Sequence, residues 1–351
     1  MARRACLTLI LLLMSSSLWA DDRIYLHGEG SPRKGDVESL SPTAVGLRGR
    51  PSIPVSEVRY IQFDDEPREL TSARRAALSG EYAGARSTLR KVKVDTITNP
   101  SIRADFAFHD ALCFAKLAMA TRTKRAERLN SAAVKLKSFV EGIGKDNYHL
   151  FEAQELLGDV VVALGKEKKE AKYFALARDQ YQAVTNAAPW PAWQLRMNMK
   201  TAQAWQAEGK SNEAVNLFKQ IAASTAEGPE VDSYKDRARL GMANAMAEGG
   251  QADAAIDMVH KVILATPKEE AEVLANAYLV LGRCARIGGN AKEEKMAYLR
   301  IQLLYPQIPE AHEEALGRLV QLWEAEDETK RAADTKSELS DRYPNSEWLK
   351  K

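Results

Sequence analysis

The chain has 351 residues, of which 45% are hydrophobic and 28% charged, and its 50 lysines and arginines nearly balance 48 aspartates and glutamates. This composition is typical of globular proteins, and it excludes a mostly disordered chain and a protein with many membrane spans. The length suffices for two domains or for one long array of repeats.

The first twenty residues resemble a secretory signal peptide. Arg3 and Arg4 precede an apolar run over residues 6–14, which is too short to span a bilayer, and Ala20 offers a cleavage site. We therefore expect residues 1–20 to be removed and the mature protein to be exported, either periplasmic or extracellular. An uncleaved N-terminal anchor is the alternative. Without the signal, basic and acidic residues number 48 each, which removes the main driving force for nucleic-acid binding.

Residues 21–67 have the pattern of a small β domain. Glycine and proline separate short stretches of alternating apolar and polar residues, which are typical of strands. Four strands are predicted at 23–27, 36–40, 44–48 and 59–63, with a turn over 53–58 that adds at most a fifth. The predicted apolar face carries Ile24, Leu26, Val37, Val45, Ile53, Ile61 and Phe63.

The order of these strands and turns resembles SH3-like or Sm-like small barrels, so we expect a small β-barrel or β-meander. A unit of this size buries little core alone. We therefore expect it to cover the apolar end of the helical array that follows. A separate module for ligand binding or self-association is the alternative.

Residues 68–351 show a helical pattern that repeats. Prolines recur at intervals of 38 to 40 residues, at Pro189, Pro229, Pro267, Pro306 and Pro344. Between them, glycines separate two amphipathic stretches, at Gly209, Gly249–Gly250 and Gly288–Gly289. A regular period of this size indicates stacked helix pairs. We predict a mostly α fold with about seven pairs and a period of about 38–44 residues, each pair closed by a proline.

A third marker is a Leu-Gly dipeptide in the middle of the first helix of a helix pair. The glycines of these dipeptides are Gly158, Gly241, Gly282 and Gly317. In one unit Tyr298, Ile301 and Pro306 follow Gly282 by 16, 19 and 24 residues. These offsets resemble the tetratricopeptide repeat (TPR). The resemblance implies a TPR-like α-solenoid whose inner face binds a protein or a peptide. It does not identify the partner.

No motif predicts catalysis, a cofactor or a metal. The five histidines form no pair with metal-binding spacing, and GxSxG and P-loop motifs are absent. His109 and Cys113 lie four residues apart, which is more typical of core packing than of a nucleophile with its base. Cys113 and Cys284 are expected to be buried free thiols, because an extended array would keep them apart. We therefore predict a non-enzymatic protein, with an enzyme that lacks a recognisable motif as the alternative.

Candidate ligand residues follow from the resemblance, which places the groove on the first helix of each pair. They are Arg196, Gln203, Lys235, Asn276, Arg283, Arg286 and Arg318. A guanidinium group binds both oxygens of a carboxylate, so an acidic or C-terminal carboxylate segment is the predicted ligand. Alternatively, these arginines cover the core or pair with Glu272 or Glu314 of a neighbouring helix.

Two functions are compatible with this sequence: a scaffold within a cell-envelope assembly, and an adaptor that captures one extended peptide. Charge is uneven, since residues 86–146 hold 13 basic and 6 acidic residues and residues 226–351 hold 17 and 23. This asymmetry suggests head-to-tail association between molecules. The densest basic cluster comprises Arg122, Lys124, Arg125 and Arg128. It is either a solvated helix start or a contact for an anionic envelope surface.

Overall fold

The computed structural model describes residues 21–344 and 346–350, so the predicted signal peptide lies outside the described residues. Six strands come first: β1 Asp22–Leu26, β2 Arg33–Gly35, β3 Val37–Leu40, β4 Ala44–Leu47, β5 Arg50–Pro54 and β6 Val58–Gln62. The helices of the first four pairs are α1 Arg68–Leu78, α2 Tyr82–Leu89, α3 Pro100–Ala120, α4 Arg125–Glu141, α5 Leu150–Lys168, α6 Ala171–Ala187, α7 Pro191–Ala207 and α8 Ser211–Ala222. Those of the last three are α9 Pro229–Glu248, α10 Ala252–Ala265, α11 Ala271–Ile287, α12 Ala291–Leu304, α13 Pro309–Ala325 and α14 Thr329–Arg342.

The strands form two antiparallel sheets, ordered β2-β1-β6 and β3-β4-β5. Ile24 pairs with Ile61 in the first sheet, and Val45 pairs with Ile53 in the second. Of the seven residues predicted for the apolar face, six are buried and Val37 is half-buried. The strands β2 and β5 were not predicted, because β2 has only three residues and β5 begins with three exposed ones.

The core of the sheets continues into the first helices. One hydrophobic cluster contains Ile24 and Ile61 from the sheets, Leu70 from α1, Leu89 from α2 and Ile102 from α3. Residues on the inner faces of both sheets are thus removed from water by the first helix pairs. The β region is therefore packed against the beginning of the array.

The fourteen α-helices of the described residues form seven consecutive pairs, which confirms the predicted mostly α, helix-pair solenoid. Each helix packs against the next in sequence, and the first helices of successive pairs also touch, from α1 and α3 through to α11 and α13. Each pair therefore buries its apolar side against its neighbours. None of the helices in the described residues combines the length and the apolar character needed to cross a bilayer.

Every turn between the two helices of a pair contains one residue with left-handed backbone. These residues are Gly80, Lys124, Lys169, Gly209, Gly250, Gly289 and Asp327. The predicted turn glycines of the later pairs are thus confirmed, because glycine adopts this conformation without strain. The prediction that a proline closes each helix pair is wrong at Pro229. This proline begins α9 instead of ending α8, because the first turn of a helix tolerates proline.

The mid-helix glycines make room for aromatic rings. A Cβ atom on Gly282 would lie 2.6 Å from the ring of Tyr298, and one on Gly241 would lie 2.7 Å from the ring of Phe218. Real Cβ atoms do not approach rings this closely, because such contacts overlap the van der Waals surfaces. The Leu-Gly pattern therefore marks positions where an aromatic ring of a neighbouring helix, in the same pair or in the preceding one, fits against the helix backbone.

The C-terminal turn folds back onto the array. A Cβ atom on Gly317 would lie 2.2 Å from the ring of Trp348. Next to it, the carboxylate of Glu347 forms a 2.6 Å ion pair with Arg122, which lies between α3 and α4. The array is therefore curled and not extended as predicted, since its last turn meets the second pair.

Candidate functional site

A cavity of about 770 Å³, here called the inner groove, opens along the first helices of the middle pairs. Its walls come from α5, α7 and α9, with single residues from α4, α6 and α11. The polar lining includes Asp159, Lys166, Lys200, Gln203, Glu248 and Arg283. Because six helices contribute, the groove extends across several repeats and suits an extended segment rather than a small molecule.

Most charges in the inner groove are paired within the chain. The Lys200 ammonium lies 2.7 Å from Asp159. The Arg283 guanidinium donates two hydrogen bonds to Glu314, of which the Nε bond measures 2.7 Å. Glu314 is one of the two glutamates that the sequence offers as partners for these arginines. A ligand carboxylate at Arg283 would therefore have to displace an internal one.

Two lining residues are placed differently. In the described part of the chain, no carboxylate lies within ion-pair distance of Lys166, and the amide of Gln203 has no hydrogen-bond partner. Both residues are exposed. Polar groups of this kind can exchange water for ligand without breaking a contact of the fold.

A second cavity of about 880 Å³ lies between the β region and the helices α7 and α9. Trp190, Trp193 and Tyr234 supply aromatic surface, with the Trp190 and Trp193 ring centroids 5.7 Å apart. Arg237 is exposed at the rim. The β region contributes His27. We call this cavity the aromatic cavity; its combination of rings and a guanidinium is typical of sites that bind protein side chains.

The structure separates the seven candidate ligand residues. Gln203 and Arg283 line the inner groove, and Arg196 lines the aromatic cavity, where it pairs with Glu155 at 2.8 Å. Among the described residues, four candidates line neither cavity: Lys235, Asn276, Arg286 and Arg318.

Local contacts account for two of these four. The Lys235 ammonium donates to the backbone oxygen of Ala226 at 2.7 Å. Arg318 lies over the Trp348 ring, 4.8 Å from its centroid. The spacing of residues in the sequence gives the position of a residue along a helix, but not which neighbouring group its side chain contacts. In this structure the side chain of Arg318 contacts Trp348 of the C-terminal turn.

The basic cluster also makes contacts within the chain. Arg122 pairs with Glu347, and Arg125 donates to the backbone oxygen of Met119 at 2.6 Å. Arg128 approaches the Thr121 hydroxyl at 3.5 Å, and Lys124 has the left-handed backbone of the turn. Arg122 of the basic front is thus already paired with Glu347 of the acidic rear within one molecule.

A buried polar cluster lies beneath the sheets, where α1, α3 and α5 meet. The Arg74 guanidinium, which is 1% exposed, donates to Glu66 at 2.7 Å and to Asp105 at 2.6 Å. Burial opposes the charge of Asp105, but Arg74 holds the pKa of that carboxyl well below its usual range. The same carboxylates raise the pKa of Arg74 in spite of its burial.

Two histidines complete this buried polar cluster. Tyr148 donates to Asp105 at 2.9 Å, and His149 Nε2 lies 3.0 Å from the same oxygen. Burial lowers the pKa of His109 to about 4. Burial also opposes the charged form of His149, but its hydrogen bonds to Asp105 and Glu152 raise its pKa. The spacing of the histidines in the sequence did not predict this cluster. The signal that was available is Asp105, which lies one helical turn before His109.

The cysteines are free and buried, as predicted. Burial raises the pKa of the Cys113 thiol to about 11 and that of Cys284 to about 12. Thiols with such pKa values are poor nucleophiles at neutral pH. The ring nitrogens of His109 make no hydrogen bond, so His109 does not act as a base for Cys113 in this structure.

No protein-family model and no curated protein matches the chain. Solved structures of helical repeats do. The C-terminal part of a TPR repeat-containing protein from Cytophaga hutchinsonii is 16% identical, with 80% of this chain and 97% of that one covered and a TM-score of 0.42. A Rap protein complexed with competence and sporulation factor is 13% identical, with 80% and 78% covered and a TM-score of 0.45.

PilW, described as a widely conserved type IV pilus biogenesis factor, is 16% identical, with 68% and 96% covered and a TM-score of 0.39. At these identities and TM-scores the three likenesses say nothing about what this chain binds. The architecture itself, with its sequential helix pairs and glycine–ring packing, is that of a TPR-like helix-pair solenoid.

Proposed function

We propose that this protein is an exported, non-enzymatic scaffold of the cell envelope that binds a segment of a protein partner along the inner groove. The observation that supports the proposal is the groove itself, a cavity of about 770 Å³ walled by six helices of consecutive pairs. Lys166 and Gln203 offer polar groups to a ligand without loss of an internal contact. The mixed charge of the lining favours a polar segment with both signs of charge.

Cross-linking with mass spectrometry in native cells tests the scaffold role. Large partners recovered in stoichiometric amounts, with cross-links from Lys166, support a scaffold. Substitution of Lys166→Ala with Gln203→Ala should weaken such a complex, whereas Lys219→Ala with Lys261→Ala, on exposed positions of second helices, should not. A complex that is equally stable with both double variants contradicts binding in the groove.

The second candidate is an adaptor for an acidic or C-terminal carboxylate segment. The aromatic cavity favours it, because rings beside an exposed guanidinium suit a chain end that carries an apolar side chain. Peptide affinity with and without a C-terminal amide separates this function from the first. Arg237→Ala should reduce binding of the free-acid peptide selectively, and equal loss for both peptides excludes carboxylate recognition.

The carboxylate hypothesis for the inner face is tested by Arg283→Ala combined with Arg286→Ala. Because Arg283 pairs with Glu314, a matched Glu314→Ala variant is the informative control. A ligand carboxylate that competes with Glu314 should bind more tightly to this control and less tightly to the double arginine variant. Unchanged affinity in both variants contradicts the hypothesis.

Export and cleavage after Ala20 are part of the proposal. N-terminal sequencing of the protein from its native host should return Asp21 as the first residue. Recovery of Met1 would contradict cleavage, and recovery from the membrane fraction would favour the retained anchor.

For the β region we propose a capping role. The hydrophobic cluster shared by the sheets, α1, α2 and α3 supports it, because removal of the sheets would expose this apolar surface. Deletion of residues 21–67 should cause aggregation or lower the midpoint of unfolding. An unchanged helical array would instead favour a separate module.

The proposal includes two further interactions. The basic cluster binds an anionic surface of the envelope, and molecules associate head to tail. Light scattering at increasing ionic strength tests the association, since attraction between opposite charges is screened by salt. A monomer at every ionic strength contradicts it. Sedimentation with anionic vesicles, compared between wild type and Lys124→Glu with Arg128→Glu, tests the surface contact.

A further inference from the structure

The buried polar cluster brings together three residues with the donor atoms of a metal site. Asp105 and His109 stand one turn apart in α3, and His149 lies immediately before α5. A carboxylate oxygen and two imidazole nitrogens from these residues all lie within 4.8 Å of one another. The three side chains are at most 4% exposed. The chain therefore concentrates metal-ligating atoms in a dry part of its core.

His109 is the residue that an ionic network alone does not explain. Neither of its ring nitrogens has a hydrogen-bond partner, although the side chain is almost completely buried. Buried polar groups without partners are rare in native proteins, because each loses its hydration without compensation. Its Nε2 atom faces Asp105 Oδ1 at 3.7 Å, which is too long for a hydrogen bond.

The distances are close to those of donors that share one ion. Donor atoms bound tetrahedrally at 2.0–2.1 Å lie roughly 3.3 Å apart. Asp105 Oδ1 lies 3.0 Å from His149 Nε2 and 3.7 Å from His109 Nε2, so the observed separations bracket that value. The nitrogens that His109 and His149 offer lie within 4.8 Å of each other, so the two rings would have to move closer together around a bound ion.

We propose that Asp105, His109 and His149 bind one divalent transition-metal ion, for which Zn²⁺ is the best match. A carboxylate oxygen with two imidazole nitrogens is a typical donor set of Zn²⁺ and related ions. The three side chains are buried and line neither the inner groove nor the aromatic cavity. The ion would act structurally, by joining α3 to the start of α5.

The neighbouring groups are placed to orient these ligands. Arg74 holds Asp105 Oδ2 at 2.6 Å, which leaves Oδ1 facing the imidazole rings. Glu152 Oε2 lies 3.4 Å from His149 Nδ1, where a carboxylate accepts the N–H and directs Nε2 towards the ion. Carboxylate–histidine–metal arrangements of this kind are common in protein metal sites. Tyr148 Oη donates a hydrogen bond to Asp105 Oδ1 at 2.9 Å and so helps to fix the direction of this carboxylate.

The test uses the untagged full-length protein, stripped with EDTA and titrated with Zn²⁺ by calorimetry. We expect one Zn²⁺ per chain and a higher midpoint of thermal unfolding with the ion bound. His109→Leu should lower the affinity more than about 100-fold. His260→Leu is the matched control, because His260 lies in α10 and pairs with Glu293 outside the cluster. This control should bind Zn²⁺ as the wild type does.

Failure of the wild type to bind one equivalent of Zn²⁺ would overturn the proposal, as would equal affinity in His109→Leu. If the buried polar cluster holds no metal ion, the expected result for His109→Leu is the opposite. The variant should then be as stable as the wild type or more stable, because an unpartnered polar group is removed. With Zn²⁺ present, the metal site predicts that His109→Leu is the less stable protein.

A spectroscopic measurement on the wild type keeps the proposal testable even if His109→Leu does not fold. Co²⁺ in the protein should show the ligand-field absorption of a four- or five-coordinate ion, and X-ray absorption of the Zn²⁺ form should show imidazole scattering. A spectrum of six-coordinate, water-ligated Co²⁺ would overturn the site.

Discussion

The beginning and the later part of the array bury their helices by different means. Around α1, α3 and the start of α5, charged and aromatic groups meet beneath the sheets, with Arg74 and Asp105 almost fully buried. From α9 onwards the interior is built from alanines, leucines and rings that fit against mid-helix glycines. The later packing recurs with the period of the repeat, whereas the earlier packing occurs once.

This difference shows which part of the molecule tolerates change. A repeated apolar interface loses one contact at a time, and the neighbouring repeats remain. A buried ionic cluster depends on every member, because removal of one charge leaves its partner uncompensated in a low-dielectric interior. The junction between the β region and the array should therefore be the most sensitive part of the chain.

The largest effect is expected for Arg74→Met. It leaves Glu66 and Asp105 buried without their cation, and we expect a loss of about 3–5 kcal/mol in the free energy of unfolding. Arg283→Met is the matched control, since its pair with Glu314 is partly exposed, and it should cost less than about 1 kcal/mol. Urea denaturation followed by circular dichroism measures both. Equal losses in the two variants would contradict the contrast between the junction and the inner groove.

A smaller effect is expected for Gly282→Ala in α11. The new methyl group would meet the Tyr298 ring at 2.6 Å, so the ring or the helix has to move. Overpacking of this kind destabilises by about 1–3 kcal/mol. The combination with Tyr298→Leu, which removes the ring, should recover part of the loss. No recovery in this double variant would argue against the glycine–ring contact.

Gly84→Ala in α2 is expected to stabilise the protein, in contrast to Gly282→Ala. Nothing lies within 4 Å of a Cβ atom built at this helical position. The substitution should stabilise the protein by about 0.5–1 kcal/mol, because alanine loses less backbone entropy in a helix. Thermal unfolding of Gly84→Ala and Gly282→Ala side by side tests the distinction, and destabilisation by both would refute it.

The smallest effect concerns pH and His312, a fully buried residue of α13. Burial lowers its pKa, and Arg342 also opposes its charge, whereas Glu338 favours it. As the pH falls below about 6.5, the unfolded chain binds this proton first, so the folded state loses stability. The loss should be small at pH 6 and greater at pH 5. His312→Gln should flatten this part of the curve relative to wild type, and an unchanged slope would rule His312 out as its source.

Sequence periodicity predicted the repeats because the same physical contact recurs. Each turn needs a left-handed residue and each Leu-Gly receives a ring, so the signals at Gly209, Gly241 and Gly282 reinforce one another. Strands β2 and β5 gave no such signal, since β2 has only three residues and β5 begins with three exposed ones, so neither shows an alternation to detect.

The candidate site was only partly predictable. The spacing from the mid-helix glycines predicts Gln203 and Arg283 as groove residues, and both line the inner groove. Arg318 instead lies over the Trp348 ring, a contact that depends on the curvature of the whole array. The buried polar cluster joins Arg74, Asp105 and His149, which are separated by 31 and 44 residues. The packing of α1, α3 and the start of α5 against one another brings them together, and a single sequence carries no period for a contact made once.

The central claim is that the inner groove binds a protein partner. Site-specific photo-cross-linking in native cells tests it most directly, with the photoreactive residue placed either at Gln203 in the groove or at Lys219, an exposed residue of α8 that lines neither cavity. Binding in the groove predicts one defined adduct from Gln203 and none of the same mass from Lys219. The same adduct from Lys219, with none from Gln203, would contradict it and place the binding surface on the second helices.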